Sequence, residues 1–336
     1  MFTRKGYSLP TMATTCETPT AEALQRAVEV LRRGGLLGLP TETVYGLAAD
    51  AENELAVRRI FAVKGRPSTH PLIVHLANAE AVKAWVAHLP PEAEALATAF
   101  WPGPLTLVLP RSTRASDAVT GGQGTVAVRV PAHPVALAVL AAFGGGLAAP
   151  SANRFGRVSP TRAAHVLADL GDEVDFLLDG GPSSVGVEST IVDLSGPEPA
   201  LLRPGGVSRE ALEGVLGRPL QTRVTGEVRA PGMLPSHYAP RAGLVLASRA
   251  DAPRVAAELR DAGRRVALCS PEVAAPEGVV HLRAPEDVAE LAHGLYALLR
   301  TVDAAGVDVA VVVVPQEAGL GLAVLDRLRR AAAPRG

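Results

Sequence analysis

The sequence predicts an α/β protein: a mixed sheet with helices on its faces, followed by a smaller, doubly wound α/β domain. Three observations lead there. From Thr20 onward, short apolar runs alternate with amphipathic stretches of helix length, the interleaving that packs helices against a sheet. Between Asp175 and Leu202 strand-like runs follow one another closely, which argues against a purely parallel sheet. Periodicity then fails from Gln221 to Pro240, and a second βαβ array begins after Gly243. The expected organisation is a flexible leader 1–19, a first α/β domain 20–220, a linker 221–242 and a Rossmann-like domain 243–336.

The elements follow in order. Thr20 suits an N-cap, and Ala23, Leu24, Ala27, Val28 and Leu31 share one face of a helix that Gly34 and Gly35 end. "LLGLP" is a buried strand, "TETVYGLAAD" a turn-rich loop and "ENELAVRRIFAVKG" a helix. "PLIVHL" is a strand, "AEAVKAWVAHL" and "PEAEALATAFW" are helices, and "LTLVLPR" and "TVAVRVP" are strands. The helix "HPVALAVLAAFG" leads to the strand and loop "GLAAPSAN", and "RAAHVLADLG" is the next helix. "DFLLDGG", "STIVDLS" and "PALLRPGG" are strands, and Ser208 caps the helix "SREALEGVLG". The second domain alternates the strands "LVLAS", "RRVALCS" and "VDVAVVVVP" with the helices "APRVAAELRDAG", "AELAHGLYALLRTVDAAG" and "LGLAVLDRLRRAA". The leader reads as a frayed tail without a signal-type apolar core, and Met12 competes with Met1 as the start.

Composition narrows the partners. Net charge is −1 over 336 residues, so an anion site must be local rather than a global basic field. Aromatics are 4%, too few for stacking platforms along single-stranded nucleic acid. Two distant cysteines give neither a disulfide framework nor a zinc site, which fits a reducing, cytoplasmic setting. No apolar run approaches the roughly 18 residues of a membrane span.

Polar clusters stand at the ends of the strands, where α/β proteins place ligands. Thr41, Glu42, Thr43 and Tyr45 follow "LLGLP". Lys64, one of only three lysines, and Arg66 precede the strand carrying His75. Thr125 and Arg129 bracket "TVAVR", and Arg129 shares its alternation phase with Ala127 rather than with the valines. Ser151 and Asn153 are followed by Arg154, Arg157 and Ser159; Glu188 and Ser189 precede "TIVDL"; Arg203 follows "ALL". Guanidinium forks, an ammonium and hydroxyls in glycine-rich loops suit a phosphorylated ligand, though neither a P-loop nor a dinucleotide fingerprint is present. Each cluster also has a plainer reading. Lys64 and Arg66 could be helix-end charges, Ser151 and Asn153 a cap, His75 a satisfied core histidine, and His237–Tyr238 a docking contact.

Taken together, "PTETVYGLAAD", "KGRPSTHPLIVH", "WPGPLTLVL", "VAVRVP", "APSAN", "ESTIVDL" and "LLRPGG" resemble the YrdC-like family in composition and order. "APGMLPSHYAP" and "GLGLAVLDRLRRAA" resemble its longer, two-domain threonylcarbamoyl-AMP synthase branch. The resemblance implies an open, twisted sheet around a concave, positively charged cavity. It implies a nucleotidyltransferase that makes L-threonylcarbamoyladenylate from L-threonine, bicarbonate or CO2 and ATP, with Mg²⁺ expected beside the nucleotide. It also implies a downstream transferase that carries the group to adenosine 37 of tRNAs reading ANN codons. By motif position, Lys64, Arg66, Ser151 and Asn153 would be catalytic. Lys64, Arg66, Thr125, Ser159, Arg203, His237 and Tyr238 would contact ATP, the last two from a linker that folds over the cavity as a lid. Thr43, His75, Arg129, Ser151 and Ser189 would line the threonine pocket. The alternative is a duplex-RNA or nucleotide-binding module of the same fold, which the neutral net charge disfavours.

Overall fold

The computed structural model describes residues 14–223, 230–232, 237–272 and 274–334. The choice between Met1 and Met12, most of the leader and linker residues 224–229 and 233–236 lie outside the described residues. The strands of the first part are β1 (Thr15–Glu17), β2 (Leu37–Leu39), β3 (Gly46–Asp50), β4 (Ile73–His75), β5 (Leu105–Pro110), β6 (Thr125–Arg129), β7 (Leu147–Ala148), β8 (Phe176–Leu178), β9 (Thr190–Asp193), β10 (Ala200–Arg203) and β11 (Gln221–Thr222). They form one mixed sheet in the order β1-β8-β2-β3-β7-β4-β6-β5-β9-β10-β11. The helices between them are α1 (Ala21–Arg32), α2 (Glu54–Lys64), α3 (Pro91–Phe100), α4 (Asp117–Thr120), α5 (Pro134–Phe143), α6 (Ala163–Leu170) and α7 (Arg209–Leu216). Caps set several ends: Thr20 accepts from the Ala23 amide, Asn53 from those of Leu55 and Ala56, and Gly65 closes α2 at φ 64°.

The second part holds β12 (Gly243–Ala247), β13 (Val266–Ser270), β14 (Val280–Arg283) and β15 (Val309–Val313) in an all-parallel sheet ordered β12-β15-β13-β14. Helix α8 (Ala252–Asp261) packs on one face, and α9 (Val288–Ala304) and α10 (Leu320–Ala332) on the other, the doubly wound layering expected. Among the described residues no helix is long and apolar enough to cross a membrane.

Several local readings are corrected. "GLAAD" is strand β3, antiparallel to β2; the turn residues of the connecting hairpin masked a run buried from Gly46 to Ala49. "AEAVKAWVAHL" is only a 3₁₀ turn at Glu80–Ala84, which lacks a side-chain cap and is followed by the bridge from Val86 to Arg111. Inside the leader, β1 adds a parallel edge to β8, and the linker begins as β11 on β10. β14 is only four residues, Val-His-Leu-Arg, and sits largely exposed at a sheet edge, too short an alternation to stand out in the sequence.

The two faces of the large sheet differ. Helices α2, α3, α4, α6 and α7 cover one, in a core with Leu36, Leu47, Val74, Val128 and Leu201. On the other, α1 and α5 cover Leu37, Leu39, Leu147 and Leu178. Beyond Ala149 this second face is floored by Ile73, Val108, Ala127, Ile191 and Leu202. The second part closes over it: Val44, Val158, Val187 and Tyr238 share one apolar core with Leu295, Leu299, Val324 and Leu328 of α9 and α10.

Candidate active site

A cavity of about 50 Å³ lies over that second face, with Ile73, His75 and Ala149 in its lining. It therefore stands on the face of the sheet rather than only beyond the strand ends. Its walls include Thr41, Thr43 and Val44 from the β2–β3 hairpin, Arg66 after α2, Arg129 at the end of β6, Ser151, Glu188, Ser189 and Arg203. Pro231, Gly232, His237 and Tyr238 of the linker complete it.

Strand alternation and one irregularity aim the cations. β4 and β6 are parallel neighbours with His75 opposite Arg129. Val126 and Val128 face the helix-covered core while Ala127 faces the cavity side, and Arg129 follows in that phase. Arg203 obeys a different rule. Leu201 belongs to the helix-covered core and Leu202 to the cavity side, so strict alternation would turn Arg203 away. The register shift between Leu201 and Arg203 re-aims it into the cavity.

Each buried cation meets acceptors. Arg129 donates to Glu42 Oε1 at 2.5 Å, Thr43 Oγ1 at 2.9 Å and the Gly103 carbonyl at 3.2 Å. Burial pushes the Glu42 carboxyl up, but the Arg129 charge and hydrogen bond outweigh it and hold Glu42 below its ordinary range. Arg203 donates from Nε and Nη2 to the Ser189 carbonyl and from Nη1 to that of Pro231. Arg66 donates to the Pro71 carbonyl at 3.0 Å and lies over the Phe155 ring. Burial, with Arg129 alongside, pulls His75 down to about 3; burial, with Arg66 and Lys64 near, does the same to His237. Both imidazoles are therefore neutral. Arg66 Nε, His75 Nδ1 and His237 Nδ1 are buried without partners, which marks the cavity as a place for a polar ligand.

The structure brings nine of the expected residues to the cavity: Thr43, Arg66, His75, Arg129, Ser151, Ser189, Arg203, His237 and Tyr238. Four stand off it. Lys64 lies behind the wall, its Nζ donating to the carbonyls of Ser151 at 2.5 Å and Asn153 at 2.6 Å; it satisfies the loop rather than its own helix end. Asn153 tightens the same loop through the Arg154 and Arg157 carbonyls. Ser159 donates to Glu188 Oε1 at 2.7 Å. Thr125 begins β6 at the far end from Arg129 and is absent from the lining. Arg129 lines the cavity as expected but is already paired within the protein, because a buried guanidinium needs acceptors and Glu42 supplies one.

Tyr296 and Arg327 were not singled out by sequence, and Glu188 was noted only in a strand-end polar cluster, with no role given to it. Glu188 Oε2 accepts from Tyr296 Oη and Arg327 Nε, both at 2.7 Å. Burial works against its charge, but Arg327 and Arg203 draw its pKa to about 2. One signal was available: Arg327 falls on the apolar stripe of α10 with Leu320, Val324, Leu328 and Ala331, an anomalous place for a charge. The cavity acids are thus each paired with an arginine, and among the described residues no three His, Cys, Asp or Glu side chains stand together as a metal seat. The side chains do not fit a protein-held Mg²⁺.

Residues 29–205 match the Sua5_yciO_yrdC family model, described as telomere recombination, and residues 207–333 match a model described as threonylcarbamoyl-AMP synthase, C-terminal domain. The chain is 43% identical over 316 residues to the threonylcarbamoyl-AMP synthase of Pyrococcus abyssi (strain GE5 / Orsay), covering 91% of this chain and 92% of that one. A putative threonylcarbamoyl-AMP synthase of Mycobacterium tuberculosis (strain CDC 1551 / Oshkosh) is 40% identical over 191 residues, 57% of this chain and 88% of its own. The crystal structure of P. abyssi Sua5 complexed with L-threonine superposes with a TM-score of 0.90 at 40% identity, covering 95% of this chain and 96% of that one. With sequence, sheet topology and both parts of the chain in agreement, this protein belongs to the Sua5/YciO/YrdC family, in its two-domain threonylcarbamoyl-AMP synthase branch.

Proposed function

We propose that this chain makes L-threonylcarbamoyladenylate from L-threonine, bicarbonate or CO2 and ATP, releasing pyrophosphate. The observation that carries the reading is the convergence of Arg66, His75, Arg129, Ser189 and Arg203 on one cavity beneath His237 and Tyr238, in a family whose P. abyssi member was crystallised with L-threonine. The neutral threonine amine bonds the carbon of CO2 and gives up one proton to solvent, leaving a carbamate; where bicarbonate is the source, it first loses hydroxide as CO2 forms, and that hydroxide and the proton make water. A carbamate oxygen then bonds the α-phosphorus, the bond to the bridging oxygen breaks and pyrophosphate leaves. Holding two anions together is most of the task. Arg66 and Arg203 neutralise phosphate charge. Thr43, His75, Arg129, Ser151 and Ser189 receive threonine, with Arg129 shared between the substrate carboxylate and Glu42. Lys64 and Asn153 shape the Ser151 loop, and Ser159 acts through Glu188. His75 and His237, held near 3, serve as hydrogen-bonding groups rather than bases.

The cavity is far below the roughly 300 Å³ at the lower end of ligand pockets. Pro231, Gly232, His237 and Tyr238 must therefore move for ATP to enter, and their return excludes water from a hydrolysable adenylate. A downstream transferase would pass the threonylcarbamoyl group to tRNA, in the cytoplasm. Incubating the protein with ATP, bicarbonate and each of the twenty amino acids tests the reading. Pyrophosphate release should be greatest with threonine and weaker with serine, since one methyl discriminates by only ~1–3 kcal/mol. Release that ignores the amino acid would overturn it.

A further inference from the structure

We propose that Arg327, on α10 of the second domain, is a positioning residue that fixes Glu188 and the Tyr238 ring in the cavity wall, so that docking of the second domain and closure of His237–Tyr238 become one event. The role in turnover rests on the function proposed above; the geometry does not. Arg327 is wholly buried, an arrangement that is unfavourable unless every donor is matched. Its Nε donates to Glu188 Oε2 at 2.7 Å, Nη1 to Asp326 Oδ2 at 2.5 Å and Nη2 to the Pro204 carbonyl at 3.0 Å. Its Cζ lies 5.1 Å from the centre of the Tyr238 ring.

These contacts reach the chain next to two residues of the cavity lining. Glu188 directly precedes Ser189, and Pro204 directly follows Arg203. Ser189 and Arg203 both line the cavity and are bonded to each other. One guanidinium from the second domain therefore braces the start of β9 and the end of β10 together. Tyr238 is the one non-glycine residue with positive φ among the described residues, at 62°. That conformation is unfavourable for an aromatic residue and persists only where surroundings impose it. Arg327 beneath one side and the Tyr296 ring, stacked at 5.8 Å, impose it here. Ser159 and Tyr296 complete the carboxylate's partners, so Glu188 is an anchored anion rather than a proton acceptor.

Without the guanidinium, Glu188 is a buried charge with only neutral donors and the more distant Arg203. It then binds a proton more readily or draws Arg203 off the Ser189 carbonyl. The test compares wild type, R327M, R327K and E188Q/R327M, all well below their melting temperatures. R327M should lower kcat on the order of 100-fold, change the threonine KM much less, and release more pyrophosphate per molecule of threonylcarbamoyl-AMP formed. Its residual activity should fall as pH rises through the newly raised Glu188 pKa. Wild type and E188Q/R327M, which lack an orphaned carboxylate, should show no such inflection. R327K keeps the charge but not the fork, and should be intermediate; it carries the comparison where R327M does not fold. Hydrogen–deuterium exchange gives a readout independent of turnover. The peptides holding Glu188 and His237–Tyr238 should exchange faster in R327M while β4 and β6 do not change. Wild type without threonine-dependent turnover would sink the proposed function, leaving exchange to decide on Arg327. Wild-type kcat, coupling and exchange in R327M, or losses that only track the unfolded fraction, would overturn this proposal.

Discussion

Lys64 ends α2, yet its ammonium turns inward to the loop at 151–153. Burial, with Arg66 alongside, drives its pKa well below the ordinary lysine value. Its Nζ donates one hydrogen bond to the carbonyl of Ser151 and one to that of Asn153. Its task is to hold the loop that delivers Ser151 to the cavity. Lys64→Ala leaves two carbonyls short of a donor, a penalty of about 1–3 kcal/mol each where they stay buried. The fold should survive by circular dichroism with a lowered Tm, while threonine-dependent pyrophosphate release disappears. Lys64→Arg should not restore it, because a forked group does not fit between two carbonyls that a single nitrogen bridges. Unaltered turnover in Lys64→Ala would remove Lys64 from the machinery.

At the scale of elements, the corner between β9 and β10 decides where the site is. Gly205 sits so close beneath it that an added Cβ would lie 2.3 Å from the Glu188 carbonyl oxygen and 2.4 Å from the Thr190 nitrogen. Those are backbone atoms and cannot swing aside. Gly205→Ala should lower stability by about 1–3 kcal/mol in denaturant titration and weaken threonine binding in calorimetry, because Glu188 and Ser189 move. Gly196, in the turn joining the same two strands, has open space around it, so Gly196→Ala should change neither measurement. This corner also explains what the sequence could and could not reveal. Arg129 was legible because β6 is regular and alternation assigns its face. Arg203 had the right residue type, but its aim depends on a bulge that no period records. The helices with strong caps and glycine stops, α1, α2 and α7, were legible from local chemistry. β3 and β14 were not, since one is hidden by its turn and the other is a short, largely exposed edge strand. Ser159 reaches Glu188 from within the first part, but Tyr296 and Arg327 come from α9 and α10, more than a hundred residues away in sequence, and only the second domain's docking brings them in.

Over the whole molecule, the interior that accommodates an anionic ligand also sets how the fold responds to acid. His75 and His237 are held near 3 and His165 near 4, in each case chiefly by burial, against an ordinary 6.5. Glu188 is held near 2 against 4.5, burial being outweighed by Arg327 and Arg203. In every case the unfolded chain binds a proton that the folded chain refuses, so stability rises with pH across each window. The histidine contributions are complete above about 6.5 and fade as pH falls toward 3. The Glu188 contribution is complete above 4.5 and fades toward 2. Scanning calorimetry should therefore find Tm level from pH 7 to 8, declining below 6 and falling more steeply below 4.5. His165 accepts from the Thr161 amide at 3.2 Å and is outside the cavity lining, so His165→Gln should flatten the upper part of this slope without touching turnover. The same neutral imidazoles predict that kcat shows no inflection near 6.5 in the wild-type enzyme. A histidine-like step in the rate there, or a Tm that stays level down to pH 4, would mean that the cavity's histidines keep an ordinary pKa and take up a proton as pH falls through 6.5, so that its electrostatics differ from those described.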